Sequence, residues 1–262
     1  MIATTQSTAR DVELLKQKVR LLEGGHGERV WVLHHSTGNP GWLDLYDRLA
    51  QSYAVTVPDM PGFGASGRPD WARDARDLAI LMHLLLDELS IDSLSLVGLG
   101  FGGWIAAEMA TMQQRRIKKL VLVGAPGVLP REGEILDEMV TAFDDYIRAG
   151  FHDVAAFERE FSGEVDAETQ DVRELNREMT ARLAWRPYMY SRALPHLLPA
   201  VQTPTLIVWG SDDRVVPLDC GRHYQELLPN ARLEVIEGAG HLVDMEQPEA
   251  LARLIAAHLT GG

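Results

Sequence analysis

Short apolar runs that alternate with helical patterns constrain the fold of this chain more than any other feature. Runs rich in Val, Leu and Ile recur at 29–35, 53–59, 94–98, 118–124, 204–210 and 232–238. They are short and nearly continuous, which is typical of strands buried on both faces of a parallel sheet. Helical patterns lie at 41–51, 77–90, 101–112, 218–228 and 247–259. This alternation predicts right-handed βαβ units and a sheet covered by helices on both faces.

Two segments depart from the alternation. Residues 18–33 predict a hairpin with a glycine turn that leads into the first buried strand. Residues 127–202 contain no convincing strand pattern and interrupt the sheet, so we expect a helical insertion folded over its end. We predict an α/β core formed by 1–126 and 203–262, with 127–202 as a helical cap.

Helical patterns within the predicted cap lie at 134–150 and 166–185. Gly150 is suited to end the first of these helices.

Composition and charge narrow the class of protein. A chain of 262 residues with 46% hydrophobic residues has the composition of an ordinary globular protein. The formal charge of -13 is spread along the chain, which argues against nucleic acid or an anionic membrane surface as a partner. Cys220 is the only cysteine, so an intramolecular disulfide is excluded and a reducing compartment is favoured. With no signal-peptide or membrane-helix pattern, we expect a cytoplasmic protein.

The loops that follow the predicted strands carry the chemistry, because ligands of an open parallel sheet bind beyond the carboxyl ends of its strands. These loops are 34–42, 59–69, 97–104, 210–217 and 237–249. The third reads "VGLGFGGW" and turns from a strand into a helix through closely spaced glycines, the setting of the nucleophile elbow G-x-S-x-G. Its central position, where a serine would attack, is Gly100.

With these five loops in this order, the chain resembles the α/β-hydrolase superfamily over nearly its whole length. The resemblance implies the α/β-hydrolase fold, a mostly parallel, doubly wound sheet of about eight strands whose cap roofs the substrate pocket. It maps the oxyanion-hole N–H groups to Ser36 and Phe101, the catalytic acid to Asp213 in "GSDDRVVP" and the base to His241 in "GAGH". The order elbow, acid, histidine is the order that this fold uses.

Several of these assignments have alternatives. Asp212 directly precedes Asp213 and is the second choice for the acid. His34 and His35 stand where the family commonly has His-Gly, and either one of them faces the pocket or both pack the loop. Ser36 as a displaced nucleophile is a less favoured alternative to its backbone role.

Aromatic residues of the predicted cap are expected to line the substrate pocket together with His35. They are Phe143, Trp185, Tyr188 and Tyr190. Such side chains commonly line apolar pockets, although packing of the cap onto the core explains them equally well. The expected partner is therefore a small, largely apolar carbonyl compound.

Cofactors and metals are not expected. Glycines 98, 100 and 103 match the dinucleotide fingerprint G-x-G-x-x-G, but the match does not follow the first strand and no acidic residue ends the next one. No cluster of histidines and carboxylates has the spacing of metal ligands.

A glycine at the elbow preserves the strained turn, because it enters that conformation without a Cβ clash, but it removes the attacking hydroxyl. Loss of the serine from a Ser-His-Asp triad costs on the order of 10⁶ in turnover, so acyl-enzyme chemistry through residue 100 is excluded. His241 is predicted to hydrogen-bond Asp213 and to face Gly100. The substitution Gly100→Ser is predicted to place a hydroxyl within reach of His241 and to create esterase activity.

Three functional interpretations remain. In the favoured one, His241 and Asp213 act as a general base in cleavage of an activated ester, a lactone or a carbon–carbon bond next to a carbonyl, without a serine nucleophile. In the second, the protein is a non-catalytic binder that senses a small ligand. In the third, Gly100 is an engineered replacement that inactivates a serine hydrolase. The first is favoured because a binder has no need for an acid–base pair.

Overall fold

The computed structural model describes residues 7–161, 163 and 165–261. Residues 1–6 and 262 of the predicted core, and residues 162 and 164 of the predicted cap, lie outside the described residues. The described part contains an eight-stranded, mostly parallel sheet flanked by helices, as predicted. No helix of this part combines the length and the hydropathy of a membrane span.

The sheet has the strand order β1-β2-β4-β3-β5-β6-β7-β8. The strands are β1 (Thr8–Leu14), β2 (Gln17–Gly24), β3 (Glu28–Leu33), β4 (Tyr53–Pro58), β5 (Leu94–Leu99), β6 (Ile117–Val123), β7 (Thr205–Gly210) and β8 (Ala231–Ile236). β1 pairs antiparallel with β2, and β2 with β4, whereas every other pair is parallel. After β4 the chain crosses to the other side of β3, so the carboxyl ends of β3 and β5 flank the switch point at which ligands of such sheets bind.

The hairpin predicted over 18–33 is wrong in its pairing. β2 pairs with β1 and β4 instead of with β3. Both edges of β3 are occupied by the parallel neighbours β4 and β5. The glycine turn between β2 and β3 therefore carries the chain over β4 and does not join paired strands.

Helices cover both faces of the sheet and bury two separate apolar layers. On one face lie α2 (Ala75–Glu88), α3 (Phe101–Gln113) and α8 (Leu218–Leu227), and on the other lie α1 (Asp44–Ala50), α9 (Val243–Glu246) and α10 (Pro248–Thr260). Alternate residues of β3 enter the two layers, Trp31 and Leu33 the first, Val30 and Val32 the second. Burial on both faces explains why this strand reads as a continuous apolar run.

The described residues between β6 and β7 form the α-helices α4 (Phe143–Ala149), α5 (Val154–Phe161), α6 (Ala167–Ala184) and α7 (Leu194–Leu197). The described residues of this segment form only isolated bridges and no strand. The helix predicted over 166–185 is present as α6, capped by the Asp166 side chain, which accepts from the Thr169 N–H. The helix predicted over 134–150 is wrong in its first half, because α4 begins only at Phe143. The division into core and cap remains a prediction.

Candidate active site

The turn between β5 and α3 holds Gly100 at φ 50° and ψ −120°, a left-handed φ that favours glycine. The glycines on either side, Gly98 and Gly102, are required because other backbone segments approach them closely. A Cβ at Gly98 or at Gly102 would lie within 3.0 Å of backbone atoms of neighbouring segments. At Gly100 the neighbours are instead two side chains, those of His35 and His241.

His241 forms a hydrogen bond with Asp213, as predicted. The distance from His241 Nδ1 to Asp213 Oδ2 is 2.8 Å, and the two side chains are only 5% and 1% exposed. Asp213 Oδ1 accepts from the N–H groups of Val215 and Val216, which fixes the plane of the carboxylate. Because a carboxylate accepts the Nδ1 proton, neutral His241 presents the lone pair of Nε2. That Nε2 lies 3.1 Å from the Cβ position at Gly100, so the prediction that His241 faces residue 100 is also confirmed.

The alternative acid lies elsewhere. The Asp212 carboxylate accepts from the Ser211 hydroxyl at 2.7 Å and pairs with His152 Nδ1 at 3.1 Å. Its side chain is 39% exposed, in contrast to that of Asp213. The structure therefore brings Asp213, and not Asp212, to His241.

The surroundings of His241 make it a stronger base than an ordinary histidine. Burial alone would lower its pKa, but the charge and the hydrogen bond of Asp213 oppose this effect. The negative charges of Asp244 and Glu138 act in the same direction as Asp213. The net result is a raised pKa for His241.

The two histidines after β3 have different environments. His34 is buried, its Nε2 accepts from the Met60 N–H at 3.0 Å, and its Nδ1 lies 2.7 Å from the His35 carbonyl oxygen. Its proton is therefore on Nδ1. Burial lowers the pKa of His34 to about 4, so the ring is neutral at physiological pH. His34 packs the loop and leaves no nitrogen for chemistry.

His35, in contrast, faces the site. Its Nε2 lies 2.9 Å from Asp244 Oδ1, and the two side chains are 6% and 1% exposed. Among the described residues, neither His35 Nδ1 nor Asp244 Oδ2 has a hydrogen-bond partner. A Cβ at residue 100 would lie within 3.0 Å of His35 Nδ1, so the ring fills the space into which a side chain there would project. That Gly100→Ser supplies a hydroxyl beside His241 stays a prediction, and the structure adds that this side chain also meets His35.

The two residues mapped to the oxyanion hole lie next to this space. Ser36 is buried, lines the cavity beside His241, and lowers the pKa of the nearby Glu138 and Tyr146 side chains. Phe101 is the first residue of α3, and the first N–H groups of a helix have no partner within it. The role of the Ser36 and Phe101 N–H groups in holding an oxyanion remains a prediction.

Glu138 is a buried carboxyl group near the two histidines. It is 4% exposed, and within the described part of the chain its Oε2 has no hydrogen-bond partner. Burial raises its pKa to about 7, against the opposing effects of Ser36, Arg177 and His241. The Tyr188 hydroxyl accepts from the Glu138 N–H at 2.7 Å and donates to the carbonyl oxygen of the nearby Leu136 at 2.9 Å. Tyr188 therefore holds the irregular segment that carries Glu138.

The free space beside the two histidines is small. It measures about 10 Å³, room for about one water molecule. Its lining residues are His35, Ser36, Thr37, Tyr146, Ile147, Gly150, Val215, His241 and Leu242. The Leu242 N–H donates to the Gly150 carbonyl oxygen at 2.9 Å, which ties the His241 loop to the end of α4.

The aromatic residues predicted for the pocket lie elsewhere. Trp185, Tyr188 and Tyr190 line a separate, open groove of about 740 Å³ that none of the residues of the two histidine–carboxylate pairs lines. The Phe143 ring lies 4.2 Å from the guanidinium carbon of Arg173. Of the predicted pocket residues, the structure thus brings only His35 to the cavity, and a binding role for the four aromatic residues remains a prediction.

Comparison with known proteins assigns the family. The model of the alpha/beta hydrolase family matches residues 24–254. The chain belongs to the alpha/beta hydrolase family. It is 30% identical over 264 residues to a 2-hydroxymuconate semialdehyde hydrolase of Pseudomonas sp. strain CF600, with 92% of this chain and 90% of the relative covered. It is 27% identical over 290 residues to a 2-hydroxy-6-oxo-6-phenylhexa-2,4-dienoate hydrolase of Burkholderia cepacia, with 97% and 96% covered.

Solved structures agree on the fold of this alpha/beta hydrolase. A crystal structure of a meta-cleavage product hydrolase (CumD) superposes with a TM-score of 0.81 at 22% identity, covering 97% of this chain and 98% of that one. A membrane phospholipase A superposes with a TM-score of 0.83 at 24% identity, covering 99% and 87%. At these identities the likeness establishes the α/β-hydrolase fold.

Three residues of this alpha/beta hydrolase site were not predicted from sequence. Asp244 follows His241 by three positions in "HLVD", and its only sequence signal is an acid close to the predicted base. Glu138 and Tyr146 lie between β6 and β7, where no motif marks them. Only the folded chain brings them to Ser36 and His241.

Proposed function

We propose that this protein is an enzyme that hydrolyses a small, largely apolar carbonyl compound without a serine nucleophile. We assign Gly100 to the nucleophile position of the elbow, and His241, oriented by Asp213, to the role of general base. The proposal is carried by the buried His241–Asp213 pair, whose free Nε2 lies 3.1 Å from the Cβ position at Gly100. The curated relatives are named hydrolases, which supports hydrolysis as the reaction type.

The names of the relatives point to one of the three bond types predicted from sequence. A 2-hydroxy-6-oxo-6-phenylhexa-2,4-dienoate contains a ketone and a conjugated dienoate, but no ester. Hydrolysis of such a compound adds water across a carbon–carbon bond next to the 6-oxo group. For the present chain we therefore favour a carbon–carbon bond next to a carbonyl over an ester or a lactone.

The proposed mechanism needs no covalent intermediate. His241 Nε2 takes a proton from water while the water oxygen bonds to the carbonyl carbon, and the N–H groups of Ser36 and Phe101 hold the oxyanion. General-base catalysis of this kind contributes about 10²–10⁴ in rate. Because the cavity has room for about one water molecule, we expect the lining side chains of Tyr146, Ile147 and Leu242 to move apart when the substrate enters.

The test compares three variants on two substrates, 2-hydroxy-6-oxo-6-phenylhexa-2,4-dienoate and 4-nitrophenyl acetate. His241→Ala and Asp213→Asn are expected to lower kcat by about 10²–10⁴ with little change in KM. Asp212→Asn is the matched control, since this neighbouring carboxylate pairs with His152, and it should retain the wild-type rate.

Two outcomes would contradict this proposal. Turnover that survives both His241→Ala and Asp213→Asn would exclude His241 as the base. Saturable binding of the dienoate by wild type without any turnover would instead support the interpretation of a non-catalytic binder.

A further inference from the structure

Two histidine–carboxylate pairs face one space in this protein. His241 and His35 approach with ring centroids 5.3 Å apart and an interplanar angle of 62°. A single Cβ at Gly100 would contact both rings, at Nε2 of His241 and at Nδ1 of His35. The absence of a side chain at residue 100 therefore makes room for the imidazole of residue 35.

The carboxylates determine which nitrogen of each ring faces this space. Asp213 accepts from His241 Nδ1, and Asp244 accepts from His35 Nε2. In their neutral forms both rings then present lone pairs, Nε2 of His241 and Nδ1 of His35, toward the same position. Two lone pairs that face each other have no hydrogen between them. One added proton makes one ring an imidazolium and leaves the other ring a neutral imidazole.

The charges around the pair favour that added proton. Asp213 and Asp244 are each 1% exposed and lie directly behind the two rings. Glu138 adds a further buried carboxyl group on the same side, and its interaction with His241 favours the charged form of the histidine. Unneutralised carboxylates are costly to bury, so a cation between them is stabilising.

We propose that His35, positioned by Asp244, is a second catalytic residue that delivers a proton to the leaving group while His241 accepts one from water. This inference rests on the proposed function and adds a proton donor to it. A proton donor beside the base is needed most when the leaving group is carbon, since a carbanion is far more basic than the phenolate released by an activated ester. The arrangement therefore favours cleavage of a carbon–carbon bond next to a carbonyl.

The proton balance of the reaction follows from the two positions. His241 Nε2 takes a proton from water, and the water oxygen bonds to the carbonyl carbon. The bond from that carbon to its neighbour then breaks, and the electron pair of this bond takes the proton from His35 Nδ1. Ketone and water thus become a carboxylic acid and a C–H group. His241 is left protonated and His35 neutral, and transfer of one proton from His241 to His35 across the shared space restores the starting state.

The first experiment compares a substrate that has a carbon leaving group with an ester that has a phenolate leaving group. In His35→Gln, kcat on 2-hydroxy-6-oxo-6-phenylhexa-2,4-dienoate is expected to fall about 10²–10⁴-fold, whereas kcat on 4-nitrophenyl acetate should change by less than about threefold. KM should change little on either substrate. Asp244→Asn should show the same pattern to a smaller degree, because it acts through His35. His258→Gln replaces a buried histidine whose Nε2 lies 3.2 Å from the Pro204 carbonyl oxygen, and it serves as the matched control.

The outcomes distinguish this inference from the proposed function. Equal losses on both substrates in His35→Gln would assign His35 a structural role, and an unchanged rate on the dienoate would exclude it from the reaction. Either result overturns the inference while the proposed function stands. If wild type hydrolyses neither compound, the proposed function itself fails.

A second measurement requires no variant and no turnover. In wild type with ¹⁵N-labelled histidine at pH 7, a proton is expected on His35 Nε2, because Asp244 Oδ1 accepts from it at 2.9 Å. A proton-free His35 Nε2 would show that Asp244 does not orient this ring and would overturn its positioning role.

Discussion

The His241–Asp213 and His35–Asp244 pairs contain the same groups but hold their carboxylates differently. Asp213 uses both oxygens, one for His241 and the other for the N–H groups of Val215 and Val216. Within the part of the chain that the structure describes, Asp244 engages His35 through Oδ1, and its Oδ2 has no hydrogen-bond partner. The first carboxylate is thus fixed by its own loop after β7, whereas the second, in the first turn of α9, is held by the histidine that it orients.

The difference shows what the His35–Asp244 pair requires beyond the loops that hold the His241–Asp213 pair. The loops at the strand ends bring Asp213 and His241 together, in the sequence order that the family uses. The second pair requires a histidine at residue 35, an acid at residue 244 and the lack of a side chain at residue 100. These three positions are far apart in sequence, and their roles depend on one another.

The largest expected effect comes from removing the His35 side chain and placing a serine at residue 100. Gly100→Ser alone should not react with a fluorophosphonate probe, because its Cβ meets His35 Nδ1. The double variant His35→Gly/Gly100→Ser frees the space and should react with the probe and give a burst of 4-nitrophenolate from 4-nitrophenyl acetate.

His35→Gly alone is the control and should not be labelled. Labelling of Gly100→Ser at the same rate as the double variant would show that His35 does not occupy the space of the residue-100 side chain. Absence of labelling in a folded double variant would show that His241 is not arranged to activate a serine.

A smaller effect is expected at Glu138, which acts on the His241 pair. Its folded pKa of about 7 lies above the ordinary value of 4.5, so its contribution to stability is fully present below pH 4.5 and is lost as pH rises through about 7. Glu138→Gln removes this dependence. At pH 8 the variant should be more stable than wild type by up to about 3 kcal/mol, and at pH 4 the two should differ little.

Urea unfolding at pH 4, 6 and 8 measures this difference. Glu249→Gln, which changes an exposed carboxylate on α10, is the control and should leave the pH dependence unchanged. Parallel stability curves for Glu138→Gln and wild type would show that Glu138 ionises normally in the folded protein.

The smallest expected effect is the difference in stability between variants of the two carboxylates, Asp213 and Asp244. In Asp213→Asn the amide N–H₂ has to face either the N–H groups of Val215 and Val216 or His241 Nδ1–H, so a buried donor loses its acceptor. In Asp244→Asn the N–H₂ can take the unpartnered Oδ2 position while the amide oxygen still accepts from His35. Asp213→Asn should therefore destabilise the protein by about 1–3 kcal/mol, and Asp244→Asn by about 1 kcal/mol less. Equal losses in urea unfolding at pH 7 would mean that the two carboxylates are held alike.

Much of the fold was predictable because its signals are local. The predicted helix at 77–90 corresponds to α2, whose apolar residues recur with the helical period. The one at 101–112 corresponds to α3, a helix buried all round that directly follows the glycine turn. The region before α4 was not predictable in this way. It is irregular because the Tyr188 hydroxyl, some 50 positions along the chain, binds the backbone of Leu136 and Glu138.

The candidate site also contains a part that was predictable from sequence and a part that was not. His241 and Asp213 lie in motifs with a fixed order, so their hydrogen bond was predictable from sequence. The choice between His34 and His35 was not, because it depends on the Met60 N–H taking one ring and Asp244 the other. Long-range pairing of buried polar groups has no local sequence pattern, and it accounts for what sequence alone missed.

The hydrogen bond from the Leu242 N–H to the Gly150 carbonyl oxygen has a consequence for the kinetics of binding. It joins the residue after His241 to the end of α4, whose Tyr146 and Ile147 close the cavity. A ligand larger than water enters only after these side chains separate, so the association rate should level off at the rate of opening as ligand concentration rises. Because the same bond couples α4 to the loop of His241, a displacement of α4 is expected to disturb the alignment of His241 with Asp213.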